Sequence, residues 1–160
     1  MSTFFTINGK RATAGRITIP TYGPWVADID LAATDTIDSA VTLVIGDLSL
    51  KGTILRSASF AGSQALRIVA GAGGWRKTIK AKGYSHIVGV KLSIVLKDAA
   101  RDVGETITVS SDKPIGKYYA RRAGKAERVL KSFLEGRWWI DTDGTTKTAT
   151  RASTSIKSTF

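Results

Sequence analysis

The sequence predicts a β-rich α+β protein, a small antiparallel (split) β-barrel with two inserted or packed helices. Residues 1–70 hold short alternating apolar segments, with turn residues at intervals of about ten positions. A glycine run at Ala70–Gly74 then breaks the chain. Beyond it, two stretches, about 92–103 and 124–135, repeat apolar residues at helical spacing.

The strand-rich part comes first. Phe5 and Ile7 lead into Asn8-Gly9, a pair that tolerates positive φ at both central positions of a hairpin turn, and Lys10–Ala12 returns. Gly15–Pro20 places Ile17 and Ile19 on one face and stops at proline. Between Trp25 and Leu31, Trp25, Ala27, Ile29 and Leu31 point one way, and Asp28 and Asp30 the other. Val41, Leu43 and Ile45 share a face, Gly46-Asp47 is a hairpin turn, and Leu48 and Leu50 lie on the return. Thr53–Ser57 prolongs or follows that strand, and Ala65–Ala70 supplies another. Strands this few cannot bury two sheets, so closure into a barrel is expected.

The glycine run reads as a loop or hinge. It lacks the lysine and serine or threonine of a phosphate-binding loop, because Trp75-Arg76-Lys77 follows. After it, Leu92, Val95, Leu96, Ala99 and Val103 form one helical stripe, with Lys91, Asp98, Arg101 and Asp102 off it. Gly104 stands where a left-handed residue ends a helix. Glu105–Ser110 is a short strand and Ser111–Pro114 a turn. Ala126, Val129, Leu130, Phe133 and Leu134 form the second stripe, which Gly136 stops. Arg137–Ile140 is a strand, Asp141–Gly144 a turn and Thr145–Thr150 the return. Of Trp138 and Trp139, adjacent on one strand, one should be buried and the other exposed or at an interface. The chain thus reads as a single compact domain over 1–160. It divides into a strand-rich part (1–70), a helix–helix–hairpin part (71–150) and a polar tail (151–160) that frays or pairs with a partner.

Composition narrows the function. The 160 residues carry a formal charge of +11 and no cysteine, which removes disulfides and thiolate metal sites. No window approaches the ~20 apolar residues that span a bilayer, and the first residues have no signal-peptide character. A field of that sign attracts nucleic acid, anionic lipid or an acidic protein surface. The cations concentrate between Arg76 and Arg137, while the first half gathers Asp28, Asp30, Asp35, Asp38 and Asp47.

Candidate chemistry is sparse. The only histidine, His86, has no cysteine or second histidine to share a metal, so it reads as a structural or surface residue. Asp141-x-Asp143-Gly144 resembles the start of a calcium loop, but Thr145, Thr146 and Ala152 occupy later positions that should supply ligands or glycine. A hairpin turn fits better. No nucleophile-elbow motif is present, and one histidine permits only one triad. No catalytic, cofactor-binding or metal-ligating residue is assigned, and no cofactor is expected. The chain is therefore not expected to be an enzyme, and one binding reading is a single-stranded nucleic-acid-binding barrel of OB type. Tyr84, Tyr118, Tyr119, Trp138 and Trp139 are interleaved with Lys and Arg, which suits bases stacked in a charged groove.

From Gly73 onwards the order of signals resembles the baseplate or tail-tip hub proteins of tailed bacteriophages. It is carried by Gly73-Gly74-Trp75, Asp98–Glu105, Tyr119-Ala120-Arg121, Ala126–Leu130 and Trp138–Thr145. The resemblance covers about half the chain. It implies a split β-barrel with inserted helices and a structural role in the virion tail after synthesis in the host cytoplasm. It further implies a ring, commonly a trimer, that joins the tail tube to the central spike and touches other baseplate proteins. Such hubs are longer, with paired barrel domains, so this chain would be a reduced hub or one module. The residues expected at interfaces are Trp75, Tyr118, Tyr119, Arg121, Arg122, Trp138 and Trp139.

Overall fold

The computed structural model describes residues 5–32, 36–148 and 156–159. Seven strands come from the first seventy residues: β1 (Phe5–Ile7), β2 (Lys10–Arg11), β3 (Ala14–Ile19), β4 (Val26–Leu31), β5 (Ala40–Ile45), β6 (Leu48–Phe60) and β7 (Ser63–Ala70). They curl strongly into a half-barrel. With the C-terminal strand β15 (Ile156–Thr159), the sheet order is β15-β3-β4-β7-β6-β5-β1-β2. Its pairings are all antiparallel. The split barrel is present, but the expected closure is not. Eight strands in this order also differ from the five-stranded barrel that the OB-type reading requires.

Local chemistry explains the strands. Asn8 and Gly9 both have positive φ, 47° and 79°, as the turn between β1 and β2 demands. The alternation along β4 is realised: Ala27, Ile29 and Leu31 are buried and Asp28 and Asp30 exposed. Residues 53–57 prolong β6, which runs to Phe60 with a register shift between Ile54 and Arg56. Residues 156–159 of the tail pair antiparallel with β3 of the same sheet. Residues 149–155, part of the return strand and tail read from sequence, lie outside the described residues.

The second part packs on the half-barrel. After one 3-10 turn (Gly74–Arg76) come β8 (Thr78–Ile79), β9 (Lys82–Ser85) and α1 (Leu92–Val103), the helix bounds the sequence predicts. Gly104, at φ 80°, caps it in the left-handed region. Next are β10 (Ile107–Val109), β11 (Tyr118–Arg121), β12 (Gly124–Lys125), α2 (Glu127–Leu134), β13 (Trp138–Ile140) and β14 (Thr146–Thr148). α2 starts later than expected because Gly124 and Lys125 pair with Ile79 and Thr78 instead. β9 and β11 form a two-stranded ribbon, and β14 lies between β13 and β10. Trp25, Ile68, Leu96, Leu130 and Trp138 belong to one apolar core shared by both parts.

Candidate functional site

The best-defined polar cluster joins the β9–β11 ribbon to α1. Asp98 lies at the flank of the apolar stripe, one turn from Val95, and only 7% of it is exposed. Its Oδ2 lies 2.6 Å from the Lys82 ammonium and accepts the Tyr84 hydroxyl at 2.7 Å. Its Oδ1 pairs with Arg101. Arg121, 2% exposed, places Nη1 at 3.6 Å from Asp98 and donates through Nη2 to Asp102 at 2.6 Å.

Burial alone would raise the Asp98 pKa. Hydrogen bonds from Lys82 and Tyr84, with the charges of Lys82 and Arg101, outweigh it and hold the carboxyl below its ordinary value. Burial, then the hydrogen bond to Asp98, pushes the Tyr84 hydroxyl well above the usual tyrosine range. Asp98 therefore stays ionised and Tyr84 stays a donor. No nucleophile faces a free base in this cluster. Its chemistry is that of a clamp, fixing a ribbon on a helix.

A second polar device fixes the glycine run. Glu105 follows the Gly104 cap and is 8% exposed. Its Oε1 accepts the Gly74 N–H at 2.6 Å and its Oε2 accepts the Ala72 N–H at 3.2 Å. Desolvation raises its pKa, against the lowering effect of those N–H donors. A Cβ on Gly74 would lie 2.4 Å from the Val103 carbonyl oxygen. The run is therefore not a hinge. Glycine is needed here for close approach to the end of α1.

Next to this strap, Trp75 donates from Nε1 to Thr146 Oγ1 at 2.8 Å, and its ring lies 6.4 Å from that of Trp138. Trp75 and Trp138 are 3% and 5% exposed. These two, with Arg121, are buried within their own chain. Tyr118 and Arg122 are exposed, and Tyr119 and Trp139 are half-buried. Trp138 and Trp139 thus divide as the strand geometry requires. Tyr119 packs between Tyr84 and Phe133, at ring distances of 6.0 and 5.2 Å. Along α2, Tyr119, Arg122, Lys125, Arg128 and Phe133 line a cavity of about 470 Å³ whose wall contains no acid.

His86 is exposed. Asp141 and Asp143 serve the turn: Asp141 Oδ1 accepts the Thr142 N–H, and Asp143 Oδ1 accepts the Thr145 N–H at 2.8 Å. Among the described residues, no three His, Cys, Asp or Glu side chains converge as a metal site would require. Sequence reasoning missed Asp98 and Glu105. The signal for the first was its position three residues after Val95. For the second it was an acid directly behind a helix-ending glycine.

No family model matches the sequence, and no curated protein matches it. Solved structures do match its fold. A tail protein from Neisseria meningitidis MC58 aligns over 92% of this chain and 50% of its own, with a TM-score of 0.66 and 15% identity. The 43 kDa tail protein of prophage MuSo2 from Shewanella oneidensis aligns over 94% and 52%, at 0.65 and 14%. The E. coli c3393 protein aligns over 97% and 48%, at 0.56 and 12%. It is described as a type VI secretion component similar in structure to the T4 tail proteins gp27 and gp5. This chain therefore has the fold of phage tail proteins, and spans about half the length of each structure it matches.

Proposed function

We propose that the chain is a structural, non-enzymatic subunit of a phage tail baseplate or tail-tip hub, assembling as a ring that joins the tail tube to the central spike. The observation that carries this reading is the likeness in fold to phage tail proteins along nearly the whole chain. The polar clusters fit it, since Asp98 and Glu105 lock elements together. Arg122, with half-buried Tyr119 and Trp139, offers a surface to neighbouring copies. A heterologous contact of this kind closes into a ring when its rotation permits.

Native mass spectrometry of the purified protein tests the proposal. A closed oligomer, with a trimer expected, supports it. A monomer by light scattering at high concentration, with no binding to tail components, overturns it.

The acid-free cavity along α2 favours one second reading, a phosphate-backbone contact through Arg122, Lys125 and Arg128. Filter binding with single-stranded DNA across a salt titration decides it. An affinity without salt dependence removes the nucleic-acid reading.

A further inference from the structure

The β9–β11 ribbon ends in a turn whose residues do not suit a turn. Tyr118 pairs with Ser85, and beyond that rung His86 N donates to Lys117 O at 2.9 Å. Val90 N donates to Gly116 O at 2.7 Å, and Ile115 N returns a bond to Val90 O at 2.9 Å. Gly89 N then donates to His86 O at 3.0 Å, closing a four-residue turn with Ile87 and Val88 at its centre.

Central turn positions favour Gly, Pro, Asn, Asp and Ser, each for a backbone reason. Two β-branched apolar residues gain nothing there. Ile87 and Val88 are 90% and 81% exposed, so they contribute little to the core either. Tyr118, 81% exposed, lines one recess with Ile87, His86 and Lys117. A local rule broken at a well-tied position marks a functional feature.

The surrounding charge identifies the occupant. No Asp or Glu occurs between Lys80 and Lys97, or between Lys113 and Ala126, the two segments that form the ribbon and its turn. The acids that flank these segments are already engaged: Asp98 by Lys82 and Arg101, and Asp112 by Lys91 at 3.3 Å. The occupant must be both apolar and anionic. A stable protein partner needs about 800 Å² of matched surface on each side, and a turn of this size offers far less. A bilayer needs no matched shape.

We propose that this turn inserts into an anionic phospholipid surface. Ile87 and Val88 enter the boundary of the acyl chains, and Tyr118 sits at headgroup level, where its ring and hydroxyl are both accommodated. Lys117, in the same recess as Ile87 and Tyr118, faces the lipid phosphates. Among the described residues no helix is long and apolar enough to cross a membrane, and the insertion is shallow.

The test is co-sedimentation of the full chain with phosphatidylcholine vesicles and with equal mixtures of phosphatidylcholine and phosphatidylglycerol. Binding is expected to the mixed vesicles at low salt and to fall as salt rises. The double variant Ile87→Ser/Val88→Ser, which leaves the charge unchanged, should retain its circular dichroism and its native mass. It should lose vesicle affinity about tenfold or more, because two apolar side chains no longer leave water. Val88→Trp should show a blue-shifted emission on the mixed vesicles only.

Absence of binding by the unmodified chain overturns the proposal. So does equal binding by the double variant, which would mean adsorption by charge alone. An unmoved Val88→Trp emission, or a native mass that drops in the double variant, overturns it too. The last result would assign the turn to contact between copies. The native mass of the unmodified chain separately decides the ring.

Discussion

Lys82 on β9 and Asp98 on α1 meet at 2.6 Å, and the pair is unequal: the lysine side chain is 46% exposed and the aspartate 8%. An exposed ammonium can turn to water when its partner is lost. The buried neighbours of Asp98 cannot, since Arg121 is 2% exposed and Tyr84 donates to the same oxygen.

Asp98→Ala should therefore destabilise far more than Lys82→Ala. Removing the acceptor leaves a buried cation and hydroxyl short of a partner, a loss of about 3 kcal/mol. In a chain of this size that lowers Tm by roughly 10 °C. Lys82→Ala should cost about 1 kcal/mol or less, as a half-exposed pair does. Scanning calorimetry of both variants checks the order, and equal losses would show that Lys82 is the anchor.

The two buried acids should bend the pH profile in opposite directions. Glu105 has a raised folded pKa, so the folded chain takes up its proton first as pH falls towards about 4.5, and stability relative to neutral rises there. Asp98 has a lowered folded pKa; its contribution is present above about 3.8 and is lost as pH falls through the folded value. Urea midpoints measured from pH 7 to pH 3 for the parent and Glu105→Gln should differ in slope. The variant should lack the gain between pH 7 and about 4.5 and keep the loss below it.

Glycine substitutions should separate close approach from turn geometry. A Cβ at Gly74 would press on the Val103 carbonyl at 2.4 Å and on Glu105 Cγ at 2.9 Å. Gly74→Ala should cost about 2–3 kcal/mol, because the obstacle is backbone. Gly83, in β9, has nothing within 4 Å of its added carbon. Gly83→Ala should be neutral, or stabilising by about 0.5 kcal/mol through reduced freedom of the unfolded chain. Chemical denaturation of the two variants tests the contrast.

Periodicity carried the fold a long way. The stripe Leu92–Val103 and its closing glycine defined α1, and alternation from Ala27 to Leu31 defined β4 and its exposed acids. The short ribbons were not legible, because two- to four-residue strands such as Thr78–Ile79 and Gly124–Lys125 exist only through their pairing. Openness of the sheet was equally hidden, since the pattern of a curled strand does not record whether the last strand meets the first. The polar clusters escaped for another reason. Asp98 reads as a residue off the apolar stripe, and Arg121 as one that meets a neighbour, until the fold brings together residues far apart in sequence. Trp75 and Trp138 read as interface aromatics, because the cavity that takes them is built jointly by both parts of the chain.

That shared cavity gives the last prediction. Trp75 follows the Glu105-held strap, and Thr146, fully buried on β14, accepts its indole N–H at 2.8 Å. Trp75→Phe leaves the Thr146 hydroxyl without its donor and a gap beside Trp138, a combined loss of about 2–3 kcal/mol. Thr146→Val keeps the volume but leaves the indole N–H unsatisfied, a loss of about 1–3 kcal/mol. The double variant removes both polar partners, so it should be less destabilised than the sum of the singles by about 1 kcal/mol. Equilibrium denaturation of all four proteins gives that coupling. A value near zero would mean that the tryptophan holds strap and hairpin together through packing alone.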